Sequence, residues 1–209
     1  MKFTLAAILS IAGAALVSAA PTSTVPTLPK STGLTLPPEA IAFLEEFNAW
    51  NATKKLQPQP PPRGLDLGSR APQATRLVVL DTYVVITDEE FWDDETHTRD
   101  QGVVTLPIGA DFGQTVWHDF QACGGGEICV KVKTRFNLVT DNDLDMTILM
   151  EFYEGTEEST DPEDLNGFLY TTRQILRGVR DQFDYTVRNS VEDDDDSARV
   201  YFNVWNTIP

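Results

Sequence analysis

The chain has 209 residues, 41% of them hydrophobic, and sets 32 Asp and Glu against 16 Lys and Arg, for a formal net charge of −16. This length and apolar share suffice for one buried core, while the charge argues against nucleic acid and anionic membranes as partners, because both repel a polyanion. No internal repeat of solenoid or propeller period is present.

The chain opens with Lys2, an apolar run over residues 3–17, and the small residues Ser18, Ala19 and Ala20. This is the design of a secretory signal peptide, and residues 1–19 are expected to be removed. The run falls short of the roughly 18 apolar residues that a spanning helix needs, and no later stretch reaches that length. A secreted, extracellular protein without a membrane span is expected.

Residues 20–74 differ in composition from the rest of the chain. Pro, Thr and Ser crowd residues 21–38, and residues 57–62 read Gln-Pro-Gln-Pro-Pro-Pro, so both stretches read as extended linkers. Between them one amphipathic helix is predicted over about residues 39–55. Pro37 and Pro38 suit its entry, and Ile41, Phe43, Leu44, Phe47 and Trp50 recur at helical spacing. That apolar face is too large to leave in water. The helix either docks on the domain C-terminal to it or belongs to a propeptide. Asn51-Ala52-Thr53 is an N-glycosylation sequon, which makes Asn51 a candidate acceptor. The leader and the Pro/Thr-rich segment after it resemble those of many secreted fungal proteins, a likeness that implies no activity.

From residue 75 to 209 the pattern predicts a mainly β domain, an antiparallel β-sandwich of about eight strands. Strands are expected over 75–87, 103–108 and 114–122, then as a long central pair within 127–155. In the first arm of that pair Ile128, Val130, Val132, Phe136 and Leu138 alternate with Lys131, Lys133, Arg135 and Asn137. In the second arm Met146, Ile148, Met150 and Phe152 alternate with Thr147, Glu151 and Tyr153. Such period-two alternation is what a half-buried strand requires. Residues 168–177 come next as a strand, with a helix as the rival assignment, and 181–189 and 198–206 complete the set. The only cysteines, Cys123 and Cys129, flank Gly-Gly-Gly-Glu-Ile. In an oxidising compartment they are expected to form a disulfide across a hairpin.

From residue 75 onward there are 10 basic and 28 acidic side chains, a charge of −18. The acids gather at Asp88, Glu89, Glu90 with Asp93, Asp94, Glu95, again over 154–164, and again over 192–196. If all strands run antiparallel, the loops after strands one, three, five and seven share an end, so these three runs converge beside the cysteine loop. Calcium accepts six to eight oxygens in flexible geometry and is the natural extracellular cation for such a cluster. Its candidate ligands are Asp88, Glu90, Asp93, Asp94, Asp161, Glu163, Asp164, Asp193, Asp194 and Asp195. The alternative is that acidic turns merely solvate the strand ends and discourage edge aggregation. None of the runs has the spacing of an EF-hand loop.

Signals for catalysis are weak. His97 lies in a charged stretch that reads as a loop, His118 lies in or near a strand, and the pair lacks metal-site spacing. There is no Gly-x-Ser-x-Gly elbow. A glycosidase needs only two carboxylates across a cleft, so acid content decides nothing. Trp92, Trp117, Tyr201 and Trp205 are candidates for a carbohydrate-stacking platform, against the ordinary role of aromatics as core or cross-strand pairs. The expectation is a secreted, acidic, non-catalytic binding or interaction module with a protein or carbohydrate partner, calcium-stabilised through loops at one end. No catalytic residue is assigned. The rival is a small secreted glycosidase-like hydrolase using paired carboxylates.

Overall fold

The structure, a computed structural model, describes residues 34–56, 76–89, 94–109, 114–140, 143–155, 160, 164–191 and 196–207. Residues 1–33, which include the leader and most of the first Pro-rich stretch, the second Pro-rich stretch and Trp92 lie outside these residues. One helix, α1 (Pro38–Leu56), precedes eight strands: β1 (Arg76–Glu89), β2 (Asp94–Ile108), β3 (Thr115–Gly124), β4 (Ile128–Leu138), β5 (Asp143–Glu154), β6 (Leu165–Leu176), β7 (Arg180–Arg188) and β8 (Ser197–Thr207).

The strands form two four-stranded antiparallel sheets, β2-β1-β8-β7 and β3-β4-β5-β6. Every neighbour is consecutive in sequence except β1 and β8, whose pairing ties the two ends of the chain's meander together. The seams between the sheets are bridged by arginines. At one seam Arg99 Nε of β2 donates to the Cys123 carbonyl of β3 at 2.8 Å. At the other, Arg173 of β6 donates from Nε and Nη2 to Asp181 of β7 at 2.7 and 3.1 Å, with its guanidinium 4.4 Å from the Phe183 ring centroid. The segment expected as a strand over 168–177 lies in β6, and the rival helix is not formed.

Even-numbered side chains of β1, β4, β5 and β8 point inward. Val78, Leu80, Val84, Ile86, Val130, Val132, Phe136, Met146, Ile148, Phe152, Val200 and Phe202 pack into one continuous core between the sheets. The side-chain period of two makes the pattern unambiguous, because a one-residue slip in any strand would turn its apolar row outward. β4 and β5 are buried on their outer side as well. The cause is α1, whose Ala40, Phe43 and Phe47 pack with Leu36 on Trp117 of β3 and Leu149 of β5. Pro38 opens the helix, and the Pro37 carbonyl accepts from the amides of Ala40 and Ile41 at 3.0 and 3.1 Å, supplying partners for the first turn. The helix is thus seated on the β3-β4-β5-β6 sheet.

β2 is longer than expected. Residues 94–102, expected within a charged loop, continue the strand and pair with β1 from Glu89↔Asp94 to Thr82↔Gly102. As the outermost strand of its sheet this half of β2 is solvated, so it shows none of the apolar alternation that marks a buried strand. The register shifts between Thr82 and Tyr83, where Gly102 takes φ 72°. A positive φ at a bulge is cheap for glycine and costly for other residues.

Cys123 and Cys129 face each other directly across the β3–β4 hairpin, Cα atoms 4.1 Å apart, and are disulfide-bonded. Gly125 and Gly126 turn the hairpin at φ 73° and 89°. A closure this short contributes about 2 kcal/mol by loop entropy, so it pins register more than it holds the fold.

Candidate functional site

The two sheets expose very different outer faces. The face of β3-β4-β5-β6 lies under α1, whereas β2-β1-β8-β7 has no described element over it. On that bare face the register places Tyr83 of β1 directly opposite Tyr201 of β8, and the rings stack with centroids 4.4 Å apart and planes within 9°. Arg199 lies over the Tyr201 ring at 4.8 Å, and its Nε donates to Asp184 Oδ2 of β7 at 2.8 Å. One pleat away, Arg180 Nε donates to Asn203 Oδ1 at 2.6 Å, and Asn203 Nδ2 donates to Asp81 Oδ2 at 3.2 Å. Between these two polar chains runs a groove of ≈ 290 Å³, with Asp81 and Tyr83 on the β1 side, Gln182 and Asp184 on the β7 side, and Tyr201 and Asn203 between. Trp205, 46% exposed, extends the aromatic surface along β8, and Val103, 65% exposed, extends the apolar surface on β2.

The groove's electrostatics are balanced. Its two carboxylates stand beside two arginines: Arg199 donates directly to Asp184, and Arg180 reaches Asp81 through Asn203. The hydrogen bond from Arg199 holds the Asp184 carboxyl below the usual carboxylate range, so Asp184 stays ionised. A general acid needs the opposite, a carboxyl held protonated by burial or by a like charge.

Of the aromatics singled out in the sequence, Tyr201 and Trp205 belong to this face and Trp117 does not. Trp117 is 6% exposed and packs edge-on to Phe47 beneath the helix. Tyr83, the ring that completes the platform, carries no sequence signal that links it to a residue 118 positions away. Only the β1–β8 pairing does so.

The acidic end assembles as the antiparallel alternation requires. The Glu89 amide at the end of β1 donates to Asp196 Oδ1 at 2.6 Å, and Asn189 Nδ2 after β7 donates to Glu154 Oε2 at the end of β5 at 2.7 Å. Asp88 is buried against the cysteine hairpin, where a Cβ added to Gly125 would collide with its carboxylate. Asp164 lies beside Gly155. Asp94 falls on the first residue of β2 rather than in a loop. Glu90, Asp93, Asp161, Glu163, Asp193, Asp194 and Asp195 lie outside the described residues. Asp196, buried and capping the β1 end, is a member of this cluster that the choice of ligands from sequence passed over. Among the described residues no three His, Cys, Asp or Glu side chains lie close enough to share a metal ion.

The remaining ionisable groups with distinct environments are on the covered face. Lys133 and Glu151, both on the polar side of their strands, form a buried ion pair under α1, with Lys133 Nζ 5.6 Å from the Phe47 ring centroid. Burial lowers the Lys133 ammonium below the lysine range, Glu151 opposing it. Burial also raises the Tyr153 hydroxyl, which is bonded to Glu151. Arg135 pairs with Glu46 of the helix. Asn51 is half-buried on α1, and Thr53 Oγ1 of its sequon donates to the Trp50 carbonyl at 2.6 Å. His97 sits on β2, not in a loop, and its Nε2 is 3.2 Å from Glu95 Oε2.

Burial holds the His118 imidazole below its ordinary 6.5, with Asp119 working against the shift and Lys54 of α1 adding to it. Below 6.5 the unfolded chain therefore binds a proton that the folded chain refuses, and stability falls until pH passes the folded value. His118→Gln is expected to flatten part of the stability decline between about pH 6.5 and pH 5, measured by urea melts of both proteins. A wild-type minus variant difference that stays constant across that range would contradict this.

No family model matches the chain, and comparison with curated proteins and with solved structures finds no match.

Proposed function

We propose that this is a secreted, non-catalytic binding module whose ligand-binding face is the outer surface of β2-β1-β8-β7. The observation that carries the reading is the contrast between the faces: α1 seals one, and the other presents a stacked tyrosine pair beside a charge-balanced groove. Exposed aromatic surface rimmed by polar groups is the ordinary mark of an interaction site. Fixed hydrogen-bonded side chains lower the ordering cost of binding. Removal of the leader, secretion and a glycan on Asn51 belong to the same proposal. The hydrolase reading has less support, because Asp184 is held ionised by Arg199 and so is not poised as a general acid.

The test compares retention on insoluble extracellular matrix or cell-wall material, with release of soluble products followed in parallel. Tyr83→Ala/Trp205→Ala is expected to lose retention by about tenfold or more while melting within about 1 kcal/mol of the parent, since both side chains lie on the surface outside the core. Glu45→Ala, on the solvent side of α1, is expected to bind like the parent. Product release that stops on Asp81→Asn or Asp184→Asn would establish the hydrolase instead.

Calcium at the acidic end is a second proposal, supported by the burial of Asp88 and Asp196 where the three acidic runs meet. Calcium at a hundred times its Kd adds about 2.7 kcal/mol and raises Tm by roughly 5 to 10 °C. Magnesium at matched ionic strength is expected to give less, because it dehydrates reluctantly and demands octahedral geometry. The calcium shift is expected to vanish in Asp93→Asn/Asp94→Asn/Asp194→Asn. Equal shifts with both ions, or a shift that survives the triple substitution, leave only solvated acidic turns.

A further inference from the structure

We infer that the ligand of the β2-β1-β8-β7 face is a neutral saccharide chain, an inference that rests on the proposed role of that face. Three features of the groove select this chemistry. The first is the kind of apolar surface. The Tyr83–Tyr201 stack and Trp205 offer aromatic surface rather than an aliphatic pocket, and Tyr201 and Trp205 lie about 13 Å apart along β8, so contact is spread along an extended ligand rather than concentrated in one hole. Sugar rings, with an apolar C–H face and a hydroxylated rim, suit such a surface.

The second feature is the set of polar groups. Asp81 accepts only, whereas Asn203 and Gln182 each both donate and accept, and all three line the groove with Asp184. A hydroxyl also donates and accepts, so adjacent hydroxyls satisfy planar amide and carboxylate groups in pairs. The Arg180–Asn203–Asp81 chain, at 2.6 and 3.2 Å, fixes two of those groups before any ligand arrives.

The third is charge. Arg199 pairs with Asp184, and Arg180 reaches Asp81 through Asn203, so a cationic ligand meets two arginines standing beside the two carboxylates. A polyanionic one meets a chain of net charge −16. A neutral, hydroxyl-rich chain incurs neither cost.

The probes are neutral hexasaccharides of β-1,4-glucose, β-1,4-N-acetylglucosamine, β-1,3-glucose and β-1,4-mannose, with hexagalacturonate as the anionic control. They are titrated by calorimetry and by amide NMR into the full secreted chain. At least one neutral hexasaccharide is expected to bind and to shift amides of β1, β7 and β8. Tyr83→Ala and, as a variant that leaves the aromatic stack intact, Gln182→Ala are each expected to weaken it, the former by about tenfold. Hexagalacturonate is expected not to bind. If no neutral sugar binds while Tyr83→Ala/Trp205→Ala still abolishes matrix retention, the ligand class is overturned and the face survives, pointing to a protein partner. Binding of hexagalacturonate as tight as that of any neutral sugar overturns the class as well. If a neutral sugar binds the parent, Tyr83→Ala and Gln182→Ala alike, the sugar sits elsewhere and the assignment of the face falls.

Discussion

Glu151→Leu is expected to destabilise the protein by about 3–5 kcal/mol and to lower Tm by about 10 °C, whereas Lys133→Met/Glu151→Leu is expected to recover most of that loss. Both partners are nearly inaccessible, with side chains only 6% and 7% exposed, and both lie between β4, β5 and the Phe47 ring of α1. Removing the carboxylate alone strands an ammonium in an apolar layer and takes away the acceptor of the Tyr153 hydroxyl. Removing both charges leaves a layer that two apolar side chains of similar volume can fill, at the remaining cost of one unpaired hydroxyl, about 1 kcal/mol. Paired urea melts of the two variants decide the matter. A double variant as unstable as the single one would mean that Lys133 and Glu151 contribute through packing and not through their charges.

Phe43→Ala is expected to cost about 3–5 kcal/mol and to preserve a single unfolding transition. Phe43 is only 1% exposed. Its ring lies 4.9 Å from Trp117 and 5.7 Å from Tyr170, with the Arg135 guanidinium 5.5 Å from its centroid. The cavity opens at the centre of the helix–sheet contact, where the sheet cannot collapse into it without bending β3 to β6. Trp117 fluorescence and far-ultraviolet circular dichroism are expected to report the same midpoint. Two separated transitions, or an unchanged midpoint, would make α1 an appendage that comes off before the sandwich melts.

The strands were legible because burial on one side leaves an alternating row. Val78, Leu80, Val84 and Ile86 in β1, or Val200, Phe202 and Val204 in β8, announce both the strand and its inward face. The first half of β2 was not legible, since an exposed outermost strand has no side to hide and its Thr, Asp, Glu and Arg read as loop. The outer faces were harder still. Lys133 and Glu151 sit on the polar side of their strands, which alternation alone assigns to solvent, and only the docking of α1 buries them. Trp117 and Trp205 look alike in sequence, each an outward aromatic on a strand, and what separates them is that among the described residues a helix lies over one sheet and not the other. Convergence of the acidic loops followed from strand parity, but burial of Asp196 depends on the Glu89 amide, 107 positions away. The pattern of one strand reveals its two faces, and only the pairing of distant strands reveals what each face meets.

The division between a face covered by α1 and a face with no described element over it is tested most directly by hydroxyl-radical footprinting of the native protein, with modification read residue by residue. Tyr83 and Trp205 are expected to oxidise at the rate of exposed aromatics, while Trp117 and Tyr153 remain protected until the protein is unfolded. Oxidation of Trp117 as fast as Trp205 would contradict a helix seated on β3-β4-β5-β6, and protection of Tyr83 and Trp205 would contradict an open face on β2-β1-β8-β7.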